Sequence, residues 1–284
     1  MSRNLRTADV QSFDDLVKQS YQGMGKIRMT VRTKTSVRGA SHRFTVIGRG
    51  VATPRITQTD VVPMNVSYTN ATATIEDWNA PEYTDIFDQQ KVNFDEQRQL
   101  AMVIAMAISR REDQLLIDAM TAATPVGTVS DDEGGTNTNL NTAKYRKAKQ
   151  LLDAQGVPQM ERKLLVHSNN IFGLLGDTTA TSADFATIRA LVDGQIDTWL
   201  GFKTLMFENR DEGGLPVSSN IRTGYAYHGG MMGAIGHAVG IDFRTEINYI
   251  AEKTSWLANG LFSAGSVTID ANGLVDVNMN ETGV

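Results

Sequence analysis

Residues 52–101, ATPRITQTDVVPMNVSYTNATATIEDWNAPEYTDIFDQQKVNFDEQRQLA, change from a strand pattern to a helix pattern. Apolar residues alternate from Val62 to Tyr68, which is the period of a β-strand. Asn93 and Glu96 then match a helix start, in which an asparagine cap is followed by an acid near the positive end of the helix dipole. This stretch therefore predicts a long β segment that leads into a helix.

The helix is predicted over about residues 94–122 and is the longest element of the chain. Its apolar stripe consists of Leu100, Val103, Ile104, Ala107, Ile108, Leu115 and Leu116. At about 1.5 Å per residue, the helix should exceed about 40 Å in length. The apolar run over residues 100–108 has only about half the length that a membrane span requires, so we expect no membrane contact.

A strongly basic segment lies upstream, in a protein whose formal net charge is −5. Residues 16–59 contain nine lysines and arginines and no carboxylate, whereas the rest of the chain has 18 basic and 32 acidic residues. The candidate interface residues in this segment are Arg28, Arg32, Lys34, Arg38, Arg43 and Arg49. Such a concentration of one charge indicates a surface that binds an acidic partner.

The basic segment also has a strand pattern. Over residues 27–37 the odd positions are mostly apolar and the even positions mostly cationic, and residues 42–52 return with Phe44 and Val46 on alternate positions. With a turn at Gly39, this pattern predicts a β-hairpin with arms of about 35 Å. A two-stranded hairpin cannot bury its own apolar face, so some other surface must cover it.

The segment from Glu76 to Glu96, which follows the predicted strands, is acidic, and we call it the acidic region. Its carboxylates are Glu76, Asp77, Glu82, Asp85, Asp88, Asp95 and Glu96, against the single cation Lys91. We therefore predict that the basic hairpin lies on this acidic region of a neighbouring copy, a heterologous contact that builds rings or open arrays. A basic β-ribbon that binds nucleic acid is the alternative, although Phe44 is the only aromatic residue in the hairpin.

The remainder of the chain mixes helices and strands. About residues 124–240 form a predicted α/β unit, in which Asn141 or Thr142 starts a helix that Gly156 ends. The other elements predicted there are strands at RKLLVHS (162–168) and LGFKTLMFEN (200–209), a short helix that Ser168 caps and another that starts at Ser182. The C-terminal part returns to a β pattern with Asn272-Gly273 as a hairpin turn. The fold class that this order favours is α+β.

No motif points to an enzyme, a metal site or a cofactor. The chain lacks cysteine, a G-x-S-x-G motif and a P-loop, and its four histidines lack zinc-site spacing. The acidic run DDEGG at residues 131–135 lacks the alternating ligands of a calcium loop. The glycine-rich run GGMMGAIGHAVG at 229–240 is better explained by strands that pass closely at a crowded site. The N-terminal residues show no export signal, so we expect a cytosolic origin.

The order of these parts resembles the major capsid proteins of tailed double-stranded DNA bacteriophages, which have the Hong Kong 97-type fold. Residues 52–101 are similar to the corresponding region of one branch of that family, and GFKTLMFEN and the closing ANGLVDV also fit. The resemblance covers nearly the whole chain in architecture and about a quarter of it in motif. Encapsulins share this fold, so a protein-loaded compartment is a second structural alternative.

The resemblance implies a division of the chain into four parts. These are an N-arm at 1–19, an extended loop with a β-hairpin at 24–58, a peripheral domain at 59–123 and 241–267 that contains the spine helix at about 94–122, and an axial domain at 124–240 and 268–284. It also implies that the protein is a non-enzymatic structural subunit of the virion, assembled in the host bacterial cytoplasm. Hexamers and pentamers of identical subunits would form an icosahedral shell around double-stranded DNA.

The resemblance further implies partners. A separate scaffolding protein, a portal and decoration or cement proteins would join the identical subunits, and packaged double-stranded DNA would be contacted non-specifically. Some family members form a covalent cross-link between a loop lysine and an asparagine of a neighbour. Lys34 lies in the loop, but no asparagine partner or assisting glutamate matches, so we expect no cross-link in this chain.

Overall fold

The mixture of helices and largely antiparallel strands confirms the predicted α+β class. The computed structural model describes residues 23–58, 60–89, 96–177, 198–210 and 212–282. The strands are β1 Arg32–Lys34, β2 Ser41–Ile47, β3 Tyr68–Thr74, β4 Glu76–Asp85, β5 Gly127–Val129, β6 Arg162–His167, β7 Thr198–Trp199, β8 Phe202–Phe207, β9 Val217–Ser218, β10 Ile221–His228, β11 Ile235–Ile250, β12 Ser255–Thr268 and β13 Leu274–Asn280. The helices are α1 Ile86–Gln89, α2 Glu96–Thr121, α3 Thr142–Ala154 and α4 Ser168–Leu175.

The long helix α2 confirms the element that the sequence places at about 94–122. Its predicted cap, Asn93, lies outside the described residues. Ile108 of α2 is buried with residues of β11 and β12, whereas Leu116 and Met120 are buried with residues of β10 and β13. Because its apolar residues pack on two different sheets, α2 holds those sheets together.

The first of these sheets has the strand order β1-β11-β12-β4. β11 and β12 form a long antiparallel hairpin, and β4 pairs with β12 over its full length, from Glu76 to Asp85. The first half of the predicted acidic region is therefore a strand at one edge of this sheet. We call this the peripheral sheet.

The second sheet has the order β5-β13-β10-β6-β8-β7, and we call it the axial sheet. The predicted strands at 162–168 and 200–209 are confirmed as β6 and β8, which run parallel. The predicted helix after residue 141 is confirmed as α3, and the Asn141 side chain caps it by accepting a hydrogen bond from the Lys144 amide. The short helix predicted at Ser168 is confirmed as α4, but its cap is His167 rather than Ser168. The helix predicted at Ser182 lies outside the described residues.

The predicted hairpin between residues 27–37 and 42–52 is wrong. β1 is only three residues long and pairs in parallel with β11, while β2 pairs with β3. A 3-10 turn at Arg28–Thr30 breaks the alternation, so that Ile27 and Val31 enter the core while Met29 between them is 93% exposed. The apolar residues that seemed to need another chain are therefore covered within their own.

Two further strand predictions are also corrected. Residues 60–67 form no strand, and β3 begins only at Tyr68. Asn272-Gly273 is not a hairpin turn, because a 3-10 turn at Ala271–Gly273 carries the chain from β12 in the peripheral sheet to β13 in the axial sheet. The Asp270 carboxylate fixes that turn by accepting hydrogen bonds from the backbone and side-chain nitrogens of Asn272.

The glycine-rich run at 229–240 does occupy a crowded site, as predicted. A Cβ added to Gly229 would collide with the carbonyl oxygen of Thr30, and one added to Gly236 would lie 2.8 Å from the side chains of Phe44 and Ile269. These glycines allow the segment around β1 and the ribbon formed by β2 and β3 to pack directly on the start of β11.

Candidate assembly surface

The exposed cations of β1, β2 and the segment between them form one part of the candidate surface, which we call the basic surface. It consists of Arg32, Lys34, Arg38 and Arg43. Along β2 the odd positions are exposed while Phe44 is buried against Ala238, so the strand turns Arg43 toward solvent. Arg32 lies 5.6 Å from the centre of the Phe44 ring. Within the described residues, none of the four cations forms an ion pair.

Arg28 and Arg49, which the sequence groups with these cations, are engaged within their own chain. Both terminal nitrogens of the Arg28 guanidinium donate to the Asp242 carboxylate, at 2.8 and 2.9 Å, and these hydrogen bonds hold the pKa of Asp242 below its usual range. Arg28 also lies 3.4 Å from Glu112 of α2. Arg49 donates to the backbone oxygen of Gln155 at 2.7 Å. Arg28 therefore links α2 to β11 through its ion pairs with Glu112 and Asp242.

The acidic residues of β4 form the second part of the candidate surface. Glu76, Asp77 and Glu82 are exposed and have no ion-pair partner within the described residues, whereas Asp85 accepts a hydrogen bond from the Phe87 amide. Because side chains alternate along a strand, Glu76 and Glu82 project from one face and Asp77 and Asp85 from the other. The side chains of Asp88, Asp95 and Glu96 lie outside the described part of the structure.

The basic surface and the acidic strand are also neighbours within one chain. The Ile75 amide donates to the Ala40 carbonyl at 2.9 Å, and Ser41 lies opposite Thr74 in the ribbon. No ion pair crosses this junction between the described residues. The charges of both segments therefore stay available to another molecule.

The apolar residues of the loop between β2 and β3 form the third part, which sequence reasoning missed. We call residues 48–67 the apolar loop. Its exposed apolar side chains are Val51, Ile56, Val61, Val62 and Met64, of which Val61 is 89% exposed. The alternation from residue 62 suggested a strand, but Pro63 cannot donate a backbone hydrogen bond and was the signal against one.

A buried ion network, which has no sequence signal, fixes the segment that leads into β1. Asp113 of α2 is 1% exposed and accepts hydrogen bonds from the Lys26 and Ile27 amides and from the Arg210 guanidinium at 2.9 Å. Burial raises the pKa of the Asp113 carboxyl in spite of these donors. Arg210 and Lys26 both pair with Glu208, at 2.7 Å. The network ties α2, residues 24–27 and the end of β8 into one unit.

His237 has a structural role, as the sequence predicts for isolated histidines. Its ring is fully buried, with Nε2 2.9 Å from Glu112 and Nδ1 2.9 Å from Ser266. This row of side chains joins α2 to β11 and β12. Among the described residues, no cluster of three histidines or carboxylates could hold a metal ion. The helices in the same part of the chain are too short or too polar to span a membrane.

Comparison with known proteins gives one family match and many structural matches. The family model described as phage capsid protein matches residues 5–281. The head protein of Helicobacter pylori bacteriophage KHP40 superposes with a TM-score of 0.78 at 11% identity, over 99% of this chain and 98% of that one. The capsid protein of cyanophage P-SCSP1u gives a TM-score of 0.75 at 14% identity, over 98% and 96%. None of the curated proteins matches the sequence.

A third similar structure, from Mycobacterium phage Che8, has a TM-score of 0.71 at 17% identity and covers 97% of this chain and 98% of its own. Identities this low establish the fold, and the family match extends over nearly all of the sequence. The chain belongs to the phage capsid protein family and is a major capsid protein of the Hong Kong 97-type fold that forms the virion shell.

Proposed function

We propose that copies of this chain assemble as hexamers and pentamers of an icosahedral shell around double-stranded DNA, and that the β2–β3 ribbon with its apolar loop lies on a neighbouring copy. The observation that supports this contact is the exposure of the apolar loop. Five apolar side chains lie within 14 residues there, none of them buried by the described residues of their own chain. Contiguous exposed apolar surface is typical of protein–protein contact sites.

The architecture of the ribbon supports the same contact. Among the described strands, β2 and β3 pair only with each other, and their buried residues Phe44 and Ala73 lie near the base, against Ala238. A two-stranded ribbon is marginally stable unless something packs against it. A contact between the ribbon of one copy and a different surface of the next is heterologous, and a rotation that closes gives a ring. Hexamers and pentamers are rings of this kind.

Charge supports the orientation of the contact. The basic surface supplies unpaired cations and β4 supplies the unpaired carboxylates Glu76, Asp77 and Glu82. Complementary charges between neighbours accelerate association and select the correct register. We propose that the basic surface faces β4 of the neighbouring copy, with Asp85, Asp88, Asp95 and Glu96 as further acidic candidates. Arg28 and Arg49 contribute less, because their own chain already engages them.

The proposal extends to the family features that the resemblance implies. The peripheral domain would comprise residues 59–123 and 241–267, the axial domain 124–240 and 268–284, and the N-arm 1–19. A separate scaffolding protein, a portal and decoration proteins would join the shell in the host cytoplasm, and the subunit would have no enzymatic activity. DNA would be contacted without sequence specificity. Nucleic-acid binding as the main function is less favoured, because the body outside residues 16–59 is strongly acidic.

The experiment that tests the contact replaces the apolar loop residues and leaves the core unchanged. We expect Val61→Ser, Val62→Ser and Met64→Ser together to give a folded chain that forms no shells in electron micrographs or sucrose gradients. The matched control, Val61→Ile, Val62→Ile and Met64→Leu, keeps these positions apolar and should assemble normally. Shells from the serine variant at the yield of the control would contradict the proposal.

A further inference from the structure

The outer edge of β11 is left open in the peripheral sheet. β11 runs from Ile235 to Ile250, but β1 covers only Gly236–Ala238. Beyond that point, β12 is the only strand that pairs with β11 among the described residues. The Phe243 amide donates to the Asp242 carboxylate at 2.9 Å. From Arg244 to Ile250, the outer backbone N–H and C=O groups have no strand partner among the described residues, which makes them a template for another strand.

The bulges of β11 end at Arg244, and beyond them this edge lacks the proline and lysine that keep many sheet edges from pairing. The opposite edge of the same sheet, β4, contains Pro81 and several unpaired carboxylates. Residues 241–250 contain no proline or lysine, and Phe243, Ile247 and Tyr249 give them a high strand propensity. Arg244 and Glu246 pair with each other at 3.2 Å, so the edge does not repel a partner by net charge.

The apolar loop also contains a segment whose backbone has no strand partner among the described residues. Residues 60–67, DVVPMNVS, alternate in the manner of a strand but make no strand pair, and Val61, Val62 and Met64 are exposed. Within the described part of the chain, residues 60–66 form no backbone–backbone hydrogen bond. Pro63 is compatible with an edge strand when the side without its N–H faces away from the sheet.

We propose that residues 60–67 of one copy add as a strand to the β11 edge, residues 241–250, of a neighbouring copy. This inference rests on the proposed function and names the surface that receives the loop. Eight residues span about 27 Å when fully extended and fit an edge of ten. Asn65 has a left-handed φ of 46° in the single chain, so the addition requires Asn65 to become extended. The occupant is a second copy because the same chain holds both unpaired segments, yet its own ribbon packs at the start of β11, against Gly236 and Ala238.

Pairing of one β11 edge with another is the competing arrangement. It would be isologous and would close a dimer, because the same surface is used by both copies. It would also leave the apolar loop without cover. Addition of the loop strand is heterologous, so it can be repeated around a ring and satisfies both segments at once.

Cysteine cross-linking tests the pairing cleanly because the chain contains no cysteine. Met64→Cys is combined with a cysteine at each of four consecutive edge positions, Thr245, Glu246, Ile247 and Asn248, and assembled shells are oxidised. Side chains alternate across a strand, and cysteines that point apart cannot form a disulfide. We expect cross-linked ladders at alternate positions, with yields at least about tenfold above the positions between them.

Shells assembled from a mixture of Met64→Cys chains and Ile247→Cys or Asn248→Cys chains give the same readout when a double variant assembles poorly, and they prove that the bond joins different copies. Normal shells with no cross-link, or with equal cross-linking at consecutive positions, overturn the inference and leave the proposed function intact. Covalent dimers from Ile247→Cys chains alone indicate β11–β11 pairing and also overturn it. An unmodified chain that forms no shells contradicts the proposed function itself.

Discussion

The two larger sheets differ in where their side chains find cover. In the axial sheet, alternate residues of the central strands enter two separate cores: Leu164 and Ala226 pack toward α3 and α4, whereas Leu165 and Tyr225 pack toward α2. In the peripheral sheet, β11 is buried over residues 235–239 and largely exposed over 241–250. The axial sheet is covered on both faces by its own chain, whereas no described residue pairs with the outer side of β11 beyond β1 in the peripheral sheet.

This difference separates folding from assembly. Residues that connect α2 to the sheets should determine whether the chain folds, because their contacts are internal and buried. Residues of the basic surface, the apolar loop and the β11 edge should determine whether copies associate, because within one chain they contact little. Substitutions in the first group should therefore change the free energy of unfolding, and substitutions in the second group should change shell assembly.

The largest effect on folding is expected at Asp113. Asp113→Asn removes one of the two carboxylates that pair with Arg210, whose side chain is 1% exposed, and removes one of the two acceptor oxygens that face the Lys26 and Ile27 amides. Because Glu208 still compensates Arg210, we expect a loss of about 1.5–3 kcal/mol in free energy of unfolding, which is the cost of losing hydrogen bonds to a charged group. Urea denaturation of unassembled protein measures this loss. Asp118→Asn is the matched control on the same helix, because Asp118 is exposed, and it should change stability by less than about 0.5 kcal/mol. Equal effects of the two substitutions would show that the network does not hold α2 in place.

The next largest effect is expected from reversing the charge of the basic surface, and it should change assembly without changing folding. Arg32→Glu, Lys34→Glu and Arg43→Glu together reverse the basic surface, whose cations form no ion pair with the described residues of their own chain. We expect unchanged urea stability but at least a tenfold higher protein concentration for shell formation, about 1.4 kcal/mol, because complementary charges between copies become repulsive. Light scattering at several salt concentrations measures the protein concentration at which shells form. High salt should reduce the difference in this concentration between the variant and the original chain. Loss of urea stability would instead assign these residues to folding.

A smaller effect concerns Asp276 of the axial sheet. Burial raises the pKa of its carboxyl to about 6, and its Oδ1 atom has no hydrogen-bond partner. In the unfolded chain the pKa of this carboxyl is about 3.9. Between these two pKa values the folded state binds more protons than the unfolded state. Ionisation of Asp276 therefore lowers the free energy of unfolding as pH rises from about 4 to 6.

Asp276→Asn should remove that dependence and raise the free energy of unfolding at pH 7 by about 1 kcal/mol, allowing for partial exposure of the site. Urea denaturation at pH 4, 5, 6 and 7 gives the profile. Glu82→Gln on the exposed strand β4 is the control, and as a surface substitution it should stay within about 0.5 kcal/mol of the original. A decrease in stability of the Asp276→Asn chain at pH 7 would contradict this account.

Sequence reasoning succeeded where the determinants are local. α2, α3, β6 and β8 were predicted from local sequence patterns, and residues 164–166 form a continuous apolar run because β6 is buried on both faces. Strand pairing was predicted wrongly, since β1 pairs with β11, about 200 residues later in the chain. At the candidate surface, the separation of charge was visible in the sequence. The partners of Asp113 were not visible, because they come from two distant segments, residues 26–27 and Arg210.

The smallest expected effect is at Met29, where periodicity alone suggested a buried residue. Met29→Ala should change the free energy of unfolding by less than about 0.5 kcal/mol, because the side chain is 93% exposed. Ile27→Ala is the matched comparison two residues away, and it should cost about 2–5 kcal/mol because Ile27 is fully buried among Leu116 and Tyr227. A common alternation assigns both residues to one face of a strand, whereas the 3-10 turn at Arg28–Thr30 separates them. Equal losses would restore the strand, whereas unequal losses support the 3-10 turn, which buries Ile27 and exposes Met29.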